Sequence, residues 1–129
     1  MDRCQKRQKK MKLRYFKLSE FDSPDEPGSG SKMSPVLLGM LDAARKHYGK
    51  AIKVNSGFRT VNHNIKIGGV KSSSHLKGLA VDVSIDGSVN RFAMYEALRK
   101  VGFKRLGVAK TFIHADIDPN KSPDVMWVY

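Results

Sequence analysis

Over residues 79–85 apolar and polar or small side chains alternate without a break, with Leu79, Val81, Val83 and Ile85 on one side and Ala80, Asp82 and Ser84 on the other. A period of two marks a strand with one face buried. The pattern returns over 112–118, where Ile113, Ala115 and Ile117 alternate with His114, Asp116 and Asp118. Two such strands call for a sheet whose apolar face is covered, and they put Asp82 and His114 on polar faces of otherwise apolar strands. An unpaired carboxylate is costly to bury there, and a shared cation would relieve that cost.

The remaining elements fit around such a sheet. Ser34 can cap a helix that has Pro35 in its first position, an apolar stripe of Leu37, Leu38, Leu41 and Ala44, and Gly49 at its end. A second helix is expected over 88–101, burying Phe92, Ala93, Leu98 and Val101 and stopping at Gly102. Short strands are expected over 52–55 and 105–108, and an edge strand over 126–129. Residues 15–21 carry enough apolar side chains to dock on the core, and 22–32, dense in Pro, Gly, Ser and Asp, form a surface loop. After Thr60 about fifteen polar and Gly-rich residues lack periodicity and predict a long irregular connection. Such loops are often functional. The expectation is one α+β domain, a small antiparallel sheet flanked by helices, since 129 residues suffice for one core.

Charge and cysteine content narrow the chemistry. The chain has 24 Lys and Arg against 12 Asp and Glu, a formal charge of +12, which predicts attraction to polyanions such as nucleic acids, phosphate-bearing wall polymers or acidic membranes. Part of the excess lies in a basic arm, expected to be flexible over 1–12 and followed by the folded domain over 13–129. The arm lacks the interleaved aromatics that stack bases, so no specific nucleic-acid partner is expected. A lone Cys4 allows no internal disulfide and excludes multi-cysteine metal sites, so a metal must be held mainly by His and carboxylate. No run approaches the ~20 apolar residues of a transmembrane segment, and no secretion signal is visible.

The informative stretch is Ser73-Ser74-His75-Leu76-Lys77-Gly78-Leu79-Ala80-Val81-Asp82, joined by Phe112-Ile113-His114-Ala115-Asp116. It supplies two imidazoles and a carboxylate, a donor set suited to Zn²⁺ in a tetrahedral site whose fourth position is left for water. Small Gly78 and Ala80 suit a close backbone approach where the loop re-enters the strand.

This stretch resembles the Ser-x-His-x-x-Gly-x-Ala-x-Asp signature of the zinc D-alanyl-D-alanine carboxypeptidases and related peptidoglycan endopeptidases. Ser56-Gly57-Phe58-Arg59-Thr60, with Asn64 and Gly68-Gly69, is similar to that family's Ser-Gly-aromatic-Arg element and Gly-rich connection, and 112–116 to its closing His segment in small phage and prophage members. The resemblance implies a hedgehog/D-Ala-D-Ala-peptidase-like fold, His75, Asp82 and His114 as zinc ligands, and Arg59 as the cation that binds a substrate carboxylate or polarises the scissile carbonyl. Ser73 would orient the His75 segment or contact substrate. Familiar members carry an acid three residues before the last His, and here that position is Thr111. Asp116 is then the expected general base, its alternative role being to orient His114 through the other ring nitrogen, and Asp118 is assigned an ordinary turn role. His63 and His47 fall outside the ligand set, while Phe92, Tyr95 and Trp127 are read as packing.

The implied activity is hydrolysis of an amide bond in peptidoglycan stem or cross-link peptides by a monomeric carboxypeptidase or endopeptidase. Such an enzyme would be made in the cytoplasm and act at the wall, as an endolysin in phage lysis or as a virion component. The competing reading is a non-catalytic basic zinc-binding module that adheres to anionic wall polymers or nucleic acid.

Overall fold

A computed structural model describes residues 12–129. Except for Lys12, the basic arm expected over 1–12 lies outside the described residues. Helix α1 (Pro35–Tyr48) forms as its sequence requires. The Ser34 side chain accepts from the Leu37 N–H, Pro35 opens the first turn, and Gly49 closes the helix at φ 77° with its N–H on the Arg45 carbonyl. Leu37, Leu38, Leu41 and Ala44 are all buried.

A second expected helix occurs at Gly87–Lys100, which is α3 in chain order; it buries Met94, Ala97 and Leu98. Phe92, expected inside, is 65% exposed. At about 100° per residue it lies roughly 200° from Met94, on the outer face of the stripe that runs from Met94 through Ala97 and Leu98 to half-buried Val101.

The two helices pack on each other and on a five-stranded sheet of β1 (Val54–Ser56), β2 (Ala80–Ser84), β3 (Arg105–Val108), β4 (Phe112–Asp116) and β5 (Val125–Val128). The strand order is β1-β2-β4-β3-β5. Every pair is antiparallel except β3 with β5, which run parallel. Val81 and Val83 of β2, Ile113 and Ala115 of β4 and Leu106 of β3 join the helix side chains in one core. Phe16 and Phe21 complete it, with the preceding segment tied down where the Arg14 and Tyr15 N–H groups donate to the Asp42 carboxylate at 3.0 and 2.9 Å.

The register sets up the opposite face. Asp82 pairs with His114, His114 with Gly107, and Gly107 with Trp127, so these four stand in one row across the sheet. Gly107 is needed there because a Cβ would collide with the Trp127 indole, which lies over the glycine and reaches a ring-centroid distance of 5.5 Å from His114.

The connection after Thr60, expected to be irregular, holds two capped pieces. Thr60 Oγ1 accepts from the His63 N–H at 3.1 Å and starts α2 (Val61–Lys66); Ser73 Oγ accepts from the His75 N–H at 3.2 Å and starts a 3₁₀ turn (Ser74–Lys77). Gly78 ends that turn at φ 70°, where a Cβ would collide with the Lys32 carbonyl. Helix α2 has no buried stripe, since Val61 and Ile65 are exposed. Among the described residues, no helix is long and apolar enough to cross a membrane.

Candidate metal centre

Three elements converge on the polar face of the sheet. The 3₁₀ turn delivers His75, β2 delivers Asp82 and β4 delivers His114, each offering one ligand atom within 4.8 Å of the other two. The centres of the two imidazole rings are 5.2 Å apart.

His75 is oriented by its far nitrogen. Its Nδ1 lies 2.8 Å from the Gly57 carbonyl oxygen, so Nδ1 carries the proton and donates, and Nε2 is left as a bare lone pair. That Nε2 is buried with no hydrogen-bond partner and lies 3.3 Å from Asp82 Oδ1. Buried imidazole nitrogens are rarely left this way. With His114 Nδ1 2.9 Å from the same oxygen, two imidazoles and one carboxylate present donors to one point, and this set fits a borderline cation such as Zn²⁺.

Each ligand is braced from behind. His114 Nε2 faces Asp116 Oδ2 at 2.7 Å, and Asp116 Oδ1 accepts from Arg105 Nε at 2.7 Å and from the Asp118 N–H at 3.2 Å. Asp116 is 1% exposed. Both oxygens of Asp116, the residue expected as general base, are engaged by protein groups in this structure. Its geometry is that of the alternative role, a carboxylate that holds His114. Asp82 Oδ2 accepts from Arg59 Nη2 at 3.3 Å, while Arg59 Nε donates to Ser56 Oγ at 3.0 Å and Nη1 to Asn64 Oδ1 at 3.2 Å. Arg59 thus stands directly beside the ligand set. Ser73 is buried and caps the His75 turn, with its hydroxyl on the His75 N–H. Thr111 is exposed at the start of β4 and brings no carboxylate.

Three participants were missed in the sequence. Arg105 reaches Asp116 because β3 pairs with β4 in the register that sets Arg105 opposite Asp116. Trp127, read as packing, meets both the Arg105 guanidinium, 5.3 Å from its ring centre, and the His114 ring at 5.5 Å. Asp118, read as a turn residue, is buried and accepts from Ser74 Oγ at 2.8 Å. None had a local signal, since each depends on which strands become neighbours.

The ionisation of the site follows from this geometry. Burial works against the charge on Asp82, but the hydrogen bond from His114 and the His75 imidazole beside it outweigh it and hold the carboxyl well below its usual range. Burial also opposes protonation of His114, yet the bonds to Asp116 and Asp82 win and raise its pKa above the ordinary value of 6.5. Below that raised pKa the metal-free site carries a proton on His114 Nδ1, which a metal must displace. The same protonation contributes stability to the metal-free fold at low pH, which is lost as pH rises through the raised pKa. Apparent zinc affinity is expected to rise about tenfold per pH unit across the acid range and to level off above that pKa. Calorimetric titration in buffers of different ionisation enthalpy counts the protons released, and a count of zero at mildly acidic pH would contradict the assignment.

The peptidase M15 family model matches residues 14–116. Among curated proteins, the chain is similar to the zinc D-Ala-D-Ala carboxypeptidase of Streptomyces albus G, with 34% identity over an alignment of 100 positions that covers 70% of this chain and 39% of that protein. The chain thus spans about two-fifths of the length of that relative.

Proposed function

The chain belongs to the peptidase M15 family, and from that premise we propose that it hydrolyses an amide bond in peptidoglycan stem or cross-link peptides, with zinc held by His75, Asp82 and His114. The observation that carries this reading is the buried, unpartnered Nε2 of His75, aimed at the carboxylate that also meets His114. When bound, zinc supplies Lewis acidity to the scissile carbonyl and lowers the pKa of water to about 7. Asp116 keeps the proton of His114 on Nε2, so that Nδ1 is free to act as a ligand. Arg59 is held in place by Ser56, Asn64 and Asp82, and burial makes its charge poorly solvated. Each terminal nitrogen of Arg59 keeps one N–H beyond these bonds, and a substrate carboxylate or a developing oxyanion would accept from them.

The domain over 13–129 would act as a monomer at the bacterial wall, in the manner of a small phage lysis or virion enzyme. This is tested by incubating purified zinc-loaded protein with muropeptides and reading the products by mass spectrometry. Loss of a terminal D-alanine identifies a carboxypeptidase and scission of cross-linked dimers an endopeptidase; either must stop when a chelator is added. Intact muropeptides after prolonged incubation at full zinc occupancy would sink the hydrolase reading.

A second reading is favoured by Thr111 at the usual acid position and by the engaged oxygens of Asp116. In it the chain is a basic zinc-holding module that adheres to anionic wall polymers through its +12 charge. Co-sedimentation with cell walls, reversed by salt and without product release, is its signature.

A further inference from the structure

We infer that Asp118 is a positioning residue that ties the two histidines of the metal centre to each other; the inference rests on the zinc reading above. An ordinary turn role accounts for the local contacts, the Asn120 N–H on Asp118 Oδ1 at 3.1 Å and Lys121 Nζ 4.0 Å from Oδ2. It does not account for the rest. Asp118 Oδ2 accepts from Ser74 Oγ at 2.8 Å and from Lys77 Nζ at 3.2 Å, both on the 3₁₀ turn that presents His75. Ser74 directly precedes His75. On the other side, the Asp118 N–H donates to Asp116 Oδ1 at 3.2 Å, and the second oxygen of Asp116 holds His114 Nε2. Asp118, two positions beyond the end of β4, therefore reaches the His75 turn with its side chain and the partner of His114 with its backbone.

The burial of Asp118 argues the same way. Its side chain is fully enclosed, whereas a turn aspartate gains its backbone bond equally well in water. Enclosing a carboxylate is unfavourable unless its oxygens are satisfied. Here the partners that satisfy Oδ2 come from the turn holding His75, 44 residues away from Asp118 in the case of Ser74. The link fixes the approach of Nε2 to Asp82 without touching the metal or the substrate.

The test is the zinc affinity of folded, metal-free protein, measured by competition with a fluorescent chelator, for Ser74→Ala, Asp118→Asn and the double variant. Each single change is expected to weaken zinc binding about tenfold, the lower end of the range for residues that orient ligands. The double variant should be no weaker than the worse single one, because both cut the same link. Variants that bind zinc as tightly as the wild type while melting earlier would overturn the inference and leave Asp118 a structural residue. A wild-type protein that takes up no zinc overturns the parent reading and this one together. Should Asp118→Asn fail to fold, Ser74→Ala decides alone, since it removes one hydroxyl and no charge.

Discussion

Alanine at position 75 is expected to abolish zinc uptake and turnover while leaving a folded protein. In the metal-free state His75 makes one side-chain hydrogen bond, from Nδ1 to the Gly57 carbonyl, and its Nε2 makes none. Removing the ring therefore takes about 1 kcal/mol of hydrogen bonding from the fold, plus the penalty for a small cavity. The loss in metal binding is of another order, since residues that merely orient ligands already carry about 10–100-fold in affinity. His114→Ala should behave alike in zinc content. Asp82→Ala should also lose zinc, but with a larger stability loss of about 3–5 kcal/mol, because it leaves the enclosed Arg59 without its carboxylate. Elemental analysis after dialysis reads the metal, and thermal shift with added zinc provides the second measure. Wild-type protein gains about 2.7 kcal/mol at zinc concentrations 100-fold above Kd, and His75→Ala should gain nothing. Stoichiometric zinc in dialysed His75→Ala would remove the histidine from the ligand set.

How much of this was legible without coordinates depended on whether the information was local. Helix α1 was readable to its ends because a cap, a proline, an apolar stripe and a glycine all agree from Ser34 to Gly49. β2 and β4 were readable because alternation needs only one chain segment, and it put Asp82 and His114 on the polar face before their pairing was known. Helix α2 was missed because it buries no stripe. It is set by Thr60 at its start and by Asn64, whose side chain donates to the Val70 carbonyl and accepts from Arg59. Phe92 was misplaced because the helix phase is decided by Met94, Ala97 and Leu98 together, and one large aromatic is a poor guide to it. At the site, the three candidate ligands came from a family signature. Their bracing could not have come from it. Whether Asp116 faces water or Arg105 is decided by the β3–β4 register, and the contact of Trp127 with His114 requires β5 to run parallel to β3 at the edge of the sheet.

The role of Asp116 separates the two histories of this site, and Asp116→Asn distinguishes them by which quantity moves. If the carboxylate takes a proton from water, the asparagine variant keeps its zinc and loses turnover even when saturated with metal. If it holds His114, the variant loses zinc affinity and recovers turnover as zinc is added. The geometry argues for the second outcome. Asp116 Oδ2 lies 2.7 Å from His114 Nε2, Oδ1 lies 2.7 Å from Arg105 Nε, and the group is buried. A general base must come within hydrogen-bond reach of the proton it removes, and here that reach is used by two protein cations or donors. Asparagine can still meet His114, but it removes the negative charge that favours a proton on Nε2. It also leaves Arg105 with only the Ser122 carbonyl and the face of Trp127. The indole is then less firmly held against His114, which adds to the disorder of that ligand. Zinc affinity of Asp116→Asn is expected to fall about 10–100-fold, with turnover at saturating zinc within about tenfold of the wild type. Chelator competition and zinc-titrated muropeptide hydrolysis measure the two separately, and unchanged affinity with lost turnover would restore the general-base assignment.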